Sequence, residues 1–150
     1  MQLVTVAIIK KDEKFLIAKR KAGGVVGGKW EFPGGKMEHN ESPQECLKRE
    51  LKEELDIDVV VGEFFDENIH HYRTGILKII AYSVDCFNGE FELREHDEIR
   101  WIRACEMDNF DFTGNNRSFI KKLSKQPELS VEVGSLVFNA AMDCENTLGY

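Results

Sequence analysis

Long apolar runs are missing from this sequence. No stretch approaches the ~20 residues that a membrane-spanning helix needs, so no membrane partner is expected. Paired cysteines are missing as well: Cys46, Cys86, Cys105 and Cys144 stand apart, without the spacing of a zinc site or a disulfide framework. The opening MQLVTVAIIKK carries its positive charge after the apolar run, the reverse of a secretory leader, and a reduced, cytoplasmic protein is expected. Positive charge is itself scarce, with 20 Lys and Arg against 27 Asp and Glu and a net charge of −7. That balance excludes a broad footprint for duplex nucleic acid or an anionic membrane; a small anion held by a local cation or metal is the expected ligand. Neither an internal repeat nor a low-complexity linker divides the 150 residues, and 42% hydrophobic content suits one compact domain.

Residues 2 to 9 (QLVTVAII) and Phe15 to Ala18 are nearly continuous apolar runs on either side of Lys11-Asp12-Glu13, the pattern of a buried hairpin. Residues 21 to 29 (KAGGVVGGK) carry four glycines but lack the Lys-Ser/Thr ending of a P-loop, leaving a mobile loop or a phosphate cradle as readings. Trp30 and Phe32 form a short strand that ends at the turn Pro33-Gly34-Gly35. Ser42-Pro43-Gln44-Glu45 then supplies an N-cap, a proline at the first helical position and a capping-box acid, predicting a helix from Pro43 to Leu55. Strands are expected at 57–69, 76–86 and 99–102, and a second helix at 116–125 with Phe119, Ile120 and Leu123 facing inward. The class is α+β. The domain is expected to end near residue 126. Residues 127–150 form an extension whose apolar patch, Val131 to Ala141, packs on the same domain or supports a homodimer; monomer and homodimer both stay open.

Glu50, Glu53 and Glu54 fall in one stripe of the first helix, beside the apolar stripe Leu47, Leu51, Leu55. Crowded carboxylates raise one another's pKa unless a cation neutralises them, and an all-oxygen cluster suits magnesium or manganese. An ordinary solvated helix is the competing reading, because Lys48, Arg49 and Lys52 are available for ion pairs. The wider spacing decides between them. Gly35, five residues, Glu41, seven residues, Arg49-Glu50-Leu51, one residue, then Glu53-Glu54 and Ile57 resemble the signature box of the Nudix hydrolases. Six fixed matches at roughly 6–7% each have a chance probability on the order of 10⁻⁷. Asp56 stands where the family usually has glycine, which bears on helix termination rather than chemistry.

The resemblance implies a Nudix fold, a mixed β-sheet sandwiched between helices, and a magnesium site, with manganese as a substitute, built from Gly34, Glu50, Glu53, Glu54 and Glu95. It implies catalytic roles for Glu50, Glu53, Glu95 and Arg49, the arginine orienting the glutamates; whether Glu50 or Glu95 is the base stays open. Over residues 3 to 124 the chain is similar to the MutT-type branch, which hydrolyses nucleoside triphosphates to monophosphate and pyrophosphate. By that likeness Trp30 to Lys36 is the branch's strand-and-turn segment, with Phe32 packed on a nucleobase, Gly34 offering its carbonyl to metal and Lys36 on the substrate. Arg20 matches a phosphate-contacting arginine, with a plain solvated arginine as the alternative. Asn116 matches a base-reading asparagine, with a helix N-cap as its alternative and Asn115 competing for the register. The arginine that oxidised-guanine hydrolases carry on the central strand corresponds to Gly75 or Ile76, with Arg73 nearest. Clearing a nucleotide such as 8-oxo-dGTP is the implied role, a cytidine-type pyrophosphohydrolase is the alternative, and a catalytically silent nucleotide sensor is the alternative of another class. The ADP-sugar branch fits less well, since Pro33, Pro43 and Pro127 are the only prolines and none follows the box closely. His39, His70, His71 and His96 lack zinc-ligand spacing and read as surface or loop residues.

Overall fold

The computed structural model describes residues 1–125, so the extension at 127–150 and its apolar patch lie outside the described residues. Strands β1 (Gln2–Lys11) and β2 (Lys14–Arg20) form the expected hairpin. Asp12 and Glu13, at φ 52° and 63°, supply the two left-handed residues that a two-residue turn between twisted strands requires. β3 (Trp30–Glu31) follows the glycine-rich loop, and β4 (Gly34–Lys36) turns the expected Pro33-Gly34-Gly35 turn into a short strand. After helix α1 (Pro43–Leu55), the single strand expected at 57–69 is two, β5 (Asp58–Val60) and β6 (Phe64–Tyr72). The segment expected at 76–86 likewise divides into β7 (Gly75–Val84) and β8 (Cys86–Asn88). The two breaks coincide because β5 and β8 leave the main sheet and pair with each other. β9 (His96–Ile102) begins earlier than expected, and α2 (Arg117–Ser124) follows a 3₁₀ turn, Gly114–Asn116.

β1 is the pivot of the main sheet. It pairs antiparallel with β2 at one end, antiparallel with β4 through Val4↔Lys36, Thr5↔Gly35 and Val6↔Gly34, and parallel with β7 from Gln2↔Leu77 to Ile9↔Val84. The sheet is therefore mixed. Beyond β2 it continues into β3 and β9, and β6 closes the opposite edge.

Alternation along the strands sends successive side chains to opposite faces. Val6, Ile8, Phe15, Ile17, Ile79 and Ala81 face Phe119 and Leu123 of α2, while Ala7, Ile9, Leu16, Ile80 and Tyr82 face Leu47, Leu51 and Leu55 of α1. This is the expected sandwich of helices about a mixed sheet. Each helix buries one apolar stripe, which leaves the acidic flank of α1 at the border between core and solvent.

Candidate active site

α1 is positioned by its ends. The Ser42 hydroxyl accepts from the Glu45 backbone N–H at 3.1 Å, and the Glu45 carboxylate accepts from the Ser42 N–H at 3.3 Å, completing the capping box with Pro43 in the first turn. At the other end Asp56 adopts the left-handed conformation, φ 56° and ψ 37°. The helix thus stops as a glycine would stop it.

Close approach explains the glycines before the helix. A Cβ on Gly34 would lie 1.9 Å from the Thr5 carbonyl oxygen, and one on Gly35 would lie 2.2 Å from the Glu50 carboxyl carbon. Only a bare backbone lets β4 run between β1 and the acids of α1.

Arg49 organises the outer acids. Its Nε and Nη2 donate to Glu41 at 3.0 and 2.7 Å, Nη1 donates to Glu50 at 2.9 Å and to Glu53 at 3.2 Å, and Nη2 also reaches the Lys36 carbonyl at 3.0 Å. The forked pairing, followed by the Glu38 N–H, holds the Glu41 carboxyl down at about 2. Glu41 belonged to the sequence box without a role; here it is the strut that fixes Arg49.

Glu50 and Glu54 have moved the other way. Burial is the largest cause in each, and raises the Glu50 carboxyl against the pull of Arg49. The Glu54 side chain is pushed up to about 9, first by burial and then by Glu50, Glu95 and Glu31. Glu54 is only 6% exposed, and its Oε2 is buried without a hydrogen-bond partner. Glu53, by contrast, has a side chain 54% exposed and paired with Arg49.

Glu54 opens into a cavity of about 190 Å³ lined by Arg20, Lys21, Gly23, Glu31, Gly34, Glu95 and His96. The chain brings Glu95 there by tying its loop to the end of α1. The Glu92 N–H donates to the Leu55 carbonyl at 3.0 Å, the Arg94 N–H to the Glu54 carbonyl at 3.2 Å, and Arg94 Nη1 to the Lys52 carbonyl at 3.3 Å. Those bonds satisfy the last carbonyls of the helix and leave Glu95 beside Glu54. Across the cavity Arg20 Nη1 donates to Glu31 at 2.8 Å, and Nε2 of the buried His96 lies 3.8 Å from the same carboxylate oxygen.

The expected residues therefore divide. Gly34, Glu54, Glu95 and Arg20 meet in one cavity, with Glu50 and Arg49 on its α1 flank. Lys36 stands apart: its side chain is exposed and outside the cavity lining, and only its carbonyl takes part, accepting from Arg49. Phe32 differs from the expectation that it stacks on a base. Its ring is fully buried against Phe112, with centroids 5.7 Å apart, because β3 turns that side chain into the core facing α2. Asn116 is buried; its Oδ1 accepts from the Phe32 N–H at 3.4 Å and its Nδ2 bonds the Thr113 hydroxyl. It occupies the N-cap position of α2 without capping it, so its amide joins the Phe32 segment to the turn before α2. His96, expected at the surface, is buried, as β9 starts at the position that pairs with Arg20. Glu31, His96, Arg94 and Lys21 are site residues to which sequence reasoning gave no role in the site; Glu31 lay within the Trp30 to Lys36 segment and Lys21 within the glycine-rich loop at 21–29, whereas Arg94 and His96 carried no such signal.

A divalent cation fits this donor set on the structure's own terms. A buried carboxylate oxygen lacks a partner, and two neighbouring carboxyls are raised by burial and mutual repulsion. Among the described residues no three acidic, histidine or cysteine side chains already converge as a metal cage. The cation would complete the site rather than enter a finished one.

The NUDIX domain family profile matches residues 4–122. The chain is 40% identical over 98 residues to the CTP pyrophosphohydrolase of Escherichia coli (strain K12), covering 65% of this chain and 73% of that protein. It is 32% identical over 127 residues to the putative 8-oxo-dGTP diphosphatase 2 of Mycobacterium tuberculosis (strain ATCC 25618 / H37Rv), covering 83% and 89% respectively. Among solved structures, that of the E. coli ORF135 protein superposes with a TM-score of 0.76 at 31% identity, over 85% of this chain and 95% of that one. The chain belongs to the Nudix hydrolase family. It is a hydrolase of the MutT type, and the family generally works with divalent metal. No helix among the described residues is long and apolar enough to cross a membrane.

Proposed function

We propose that this protein hydrolyses a (deoxy)nucleoside triphosphate to the monophosphate and pyrophosphate, with Mg²⁺ held by Glu50, Glu53, Glu54, Glu95 and the Gly34 carbonyl, and Mn²⁺ as a substitute. The observation that carries the reading is the unpartnered, largely buried Glu54 carboxyl opening into a cavity that also holds Arg20 and Lys21. Such a cavity offers anions cationic side chains at one wall and a place for metal at the other. Bound there, the cation would neutralise the carboxylates, polarise the phosphate oxygens and lower the pKa of a water.

The chain's own groups do the rest. Arg49 holds Glu50 Oε1 and Glu53 Oε2 in fixed directions, so the acids spend no reorganisation when the ligand arrives. Arg20 is paired with Glu31 and swings toward a phosphate oxygen by exchanging one carboxylate contact for another anion. Glu50 and Glu95 are the two acids proposed to take the water's proton; burial raises the Glu50 carboxyl from its ordinary value.

For the base, Asn116 and the Phe32 segment it holds are the proposed readers. An oxidised guanine such as 8-oxo-dGTP is the first substrate, in line with the relatives named 8-oxo-dGTP diphosphatase. A cytidine nucleotide is the second reading, favoured by the 40% identity to the E. coli CTP pyrophosphohydrolase and by Gly75 and Ile76 standing where an arginine is expected. The test is a panel of nucleoside triphosphates incubated with magnesium and scored for pyrophosphate and monophosphate. Turnover of one triphosphate well above the rest supports the assignment; nucleotide binding without turnover across the panel returns the sensor reading.

A further inference from the structure

β6 ends the main sheet among the described residues, so its outer edge has no strand beside it. Exposed edges of this kind are normally blunted by charge, proline or bulges. Here the bulge lies at the start, between Phe64 and Asp66, and the ladder from Asp66↔Ala81 to Tyr72↔Gly75 is regular. Tyr72 and Gly75 close a two-residue turn. Alternation then turns the backbone N–H and C=O of Ile69 and His71 and the C=O of Glu67 to the open edge, while the Glu67 N–H is taken by the Asp66 carboxylate at 2.9 Å and Asp66, Asn68, His70 and Tyr72 bond to β7. Ile69, in the middle of this regular stretch, is 51% exposed.

The stretch DENIHHY is self-complementary when it runs antiparallel to a second copy about a two-fold axis through Ile69. In that register Ile69 lies on Ile69 of the other copy, Glu67 lies opposite His71, and Asp66 lies opposite Tyr72. Acid therefore meets imidazole on both sides of an apolar centre. Glu67 is already oriented by Lys78, whose Nζ lies 3.2 Å from its carboxylate.

On the other face Asn68 is held within its own chain, its Nδ2 fixed by the Asn115 carbonyl at 3.0 Å and the Ser118 hydroxyl at 2.7 Å, and the same register places it opposite His70.

We propose that the β6 edge is an interaction surface for a second copy of this chain, joining two sheets into one through antiparallel β6 pairing centred on Ile69. None of the residues lining the cavity at Glu54 belongs to this edge.

Sedimentation equilibrium of the full chain over a micromolar to near-millimolar range tests it. The expected result is a mass rising toward that of a dimer. Ile69→Lys, which sets two like charges on the axis, weakens association by roughly a hundredfold or more while the circular dichroism melt stays cooperative. Ile69→Cys gives a disulfide-linked dimer on mild oxidation, because paired Cα atoms about 5.5 Å apart lie within disulfide reach. A monomer throughout the range overturns the proposal, as does a dimer indifferent to Ile69→Lys or one whose Ile69→Cys form fails to cross-link.

Discussion

Two glutamates that bracket α1, one just before its N-cap and one in its last turn, lie in opposite electrostatic states. Near the start of the helix, Glu41 is gripped by both arms of Arg49 and titrates at about 2. Near its end, Glu54 is buried beside three other acids, has an oxygen with no partner and titrates at about 9. The first arrangement is complete within the protein. The second is short of one positive charge, and the difference marks the place where a cation belongs. Local sequence composition does not make this distinction; the partners that the fold delivers to each glutamate do.

Breaking the comparison at its deficient end has the largest expected effect. Glu54→Gln removes the carboxyl that would exchange its proton for a cation and keeps the shape, and it is expected to lower triphosphate turnover roughly 10²–10³-fold. Metal-free stability, followed by urea denaturation, should hold or rise, since a buried unpaired acid is removed. At the complete end, Arg49→Ala strips Glu41, Glu50 and Glu53 of their donor. It is expected to cost about 2 kcal/mol in the same denaturation experiment.

Acidity sharpens the contrast further, because the two shifts have opposite signs. Glu54 is raised from 4.5 to about 9, so the metal-free folded state binds its proton more tightly than the unfolded chain does. Its contribution is fully present below about pH 4.5 and is lost on the order of 1 kcal/mol per pH unit as the pH rises toward 9. Glu41 is lowered, so its contribution is present above the ordinary value of 4.5 and is lost as the pH falls toward 2. Thermal melts of chelator-treated protein across pH should show the alkaline loss, and Glu54→Gln should flatten it. The smallest effect belongs to the helix start: Ser42→Ala is expected to cost about 1 kcal/mol by denaturant melt, with turnover near that of the unchanged chain.

How far these features were legible in the sequence follows from how local their causes are. The capping box, the stop at Asp56 and the acidic stripe depend on residues within a few positions of one another, and spacing alone revealed them. The hairpin turn at Asp12-Glu13 is equally local. Glu31 and His96 reach the cavity only because β2 pairs with β3 on one side and β9 on the other, with a register shift between Lys19 and Arg20. Arg94 matters because it binds carbonyls at the far end of α1, a contact spanning 42 positions of chain. The burial of Phe32 was likewise out of reach, since strand alternation gives two faces and only the packing of α2 tells which of them is closed. The splitting of 57–69 and 76–86 had the same cause: β5 and β8 take each other as partners across the chain.

Glu54 is expected to hold a proton until a cation replaces it. The most direct measurement is calorimetric titration of Mg²⁺ into chelator-treated protein at neutral pH, repeated in buffers of different ionisation enthalpy. About one proton is expected to be released per cation bound, and the release is expected to fall sharply in Glu54→Gln. Cation binding with no proton released, or with the same release from Glu54→Gln, would contradict that expectation.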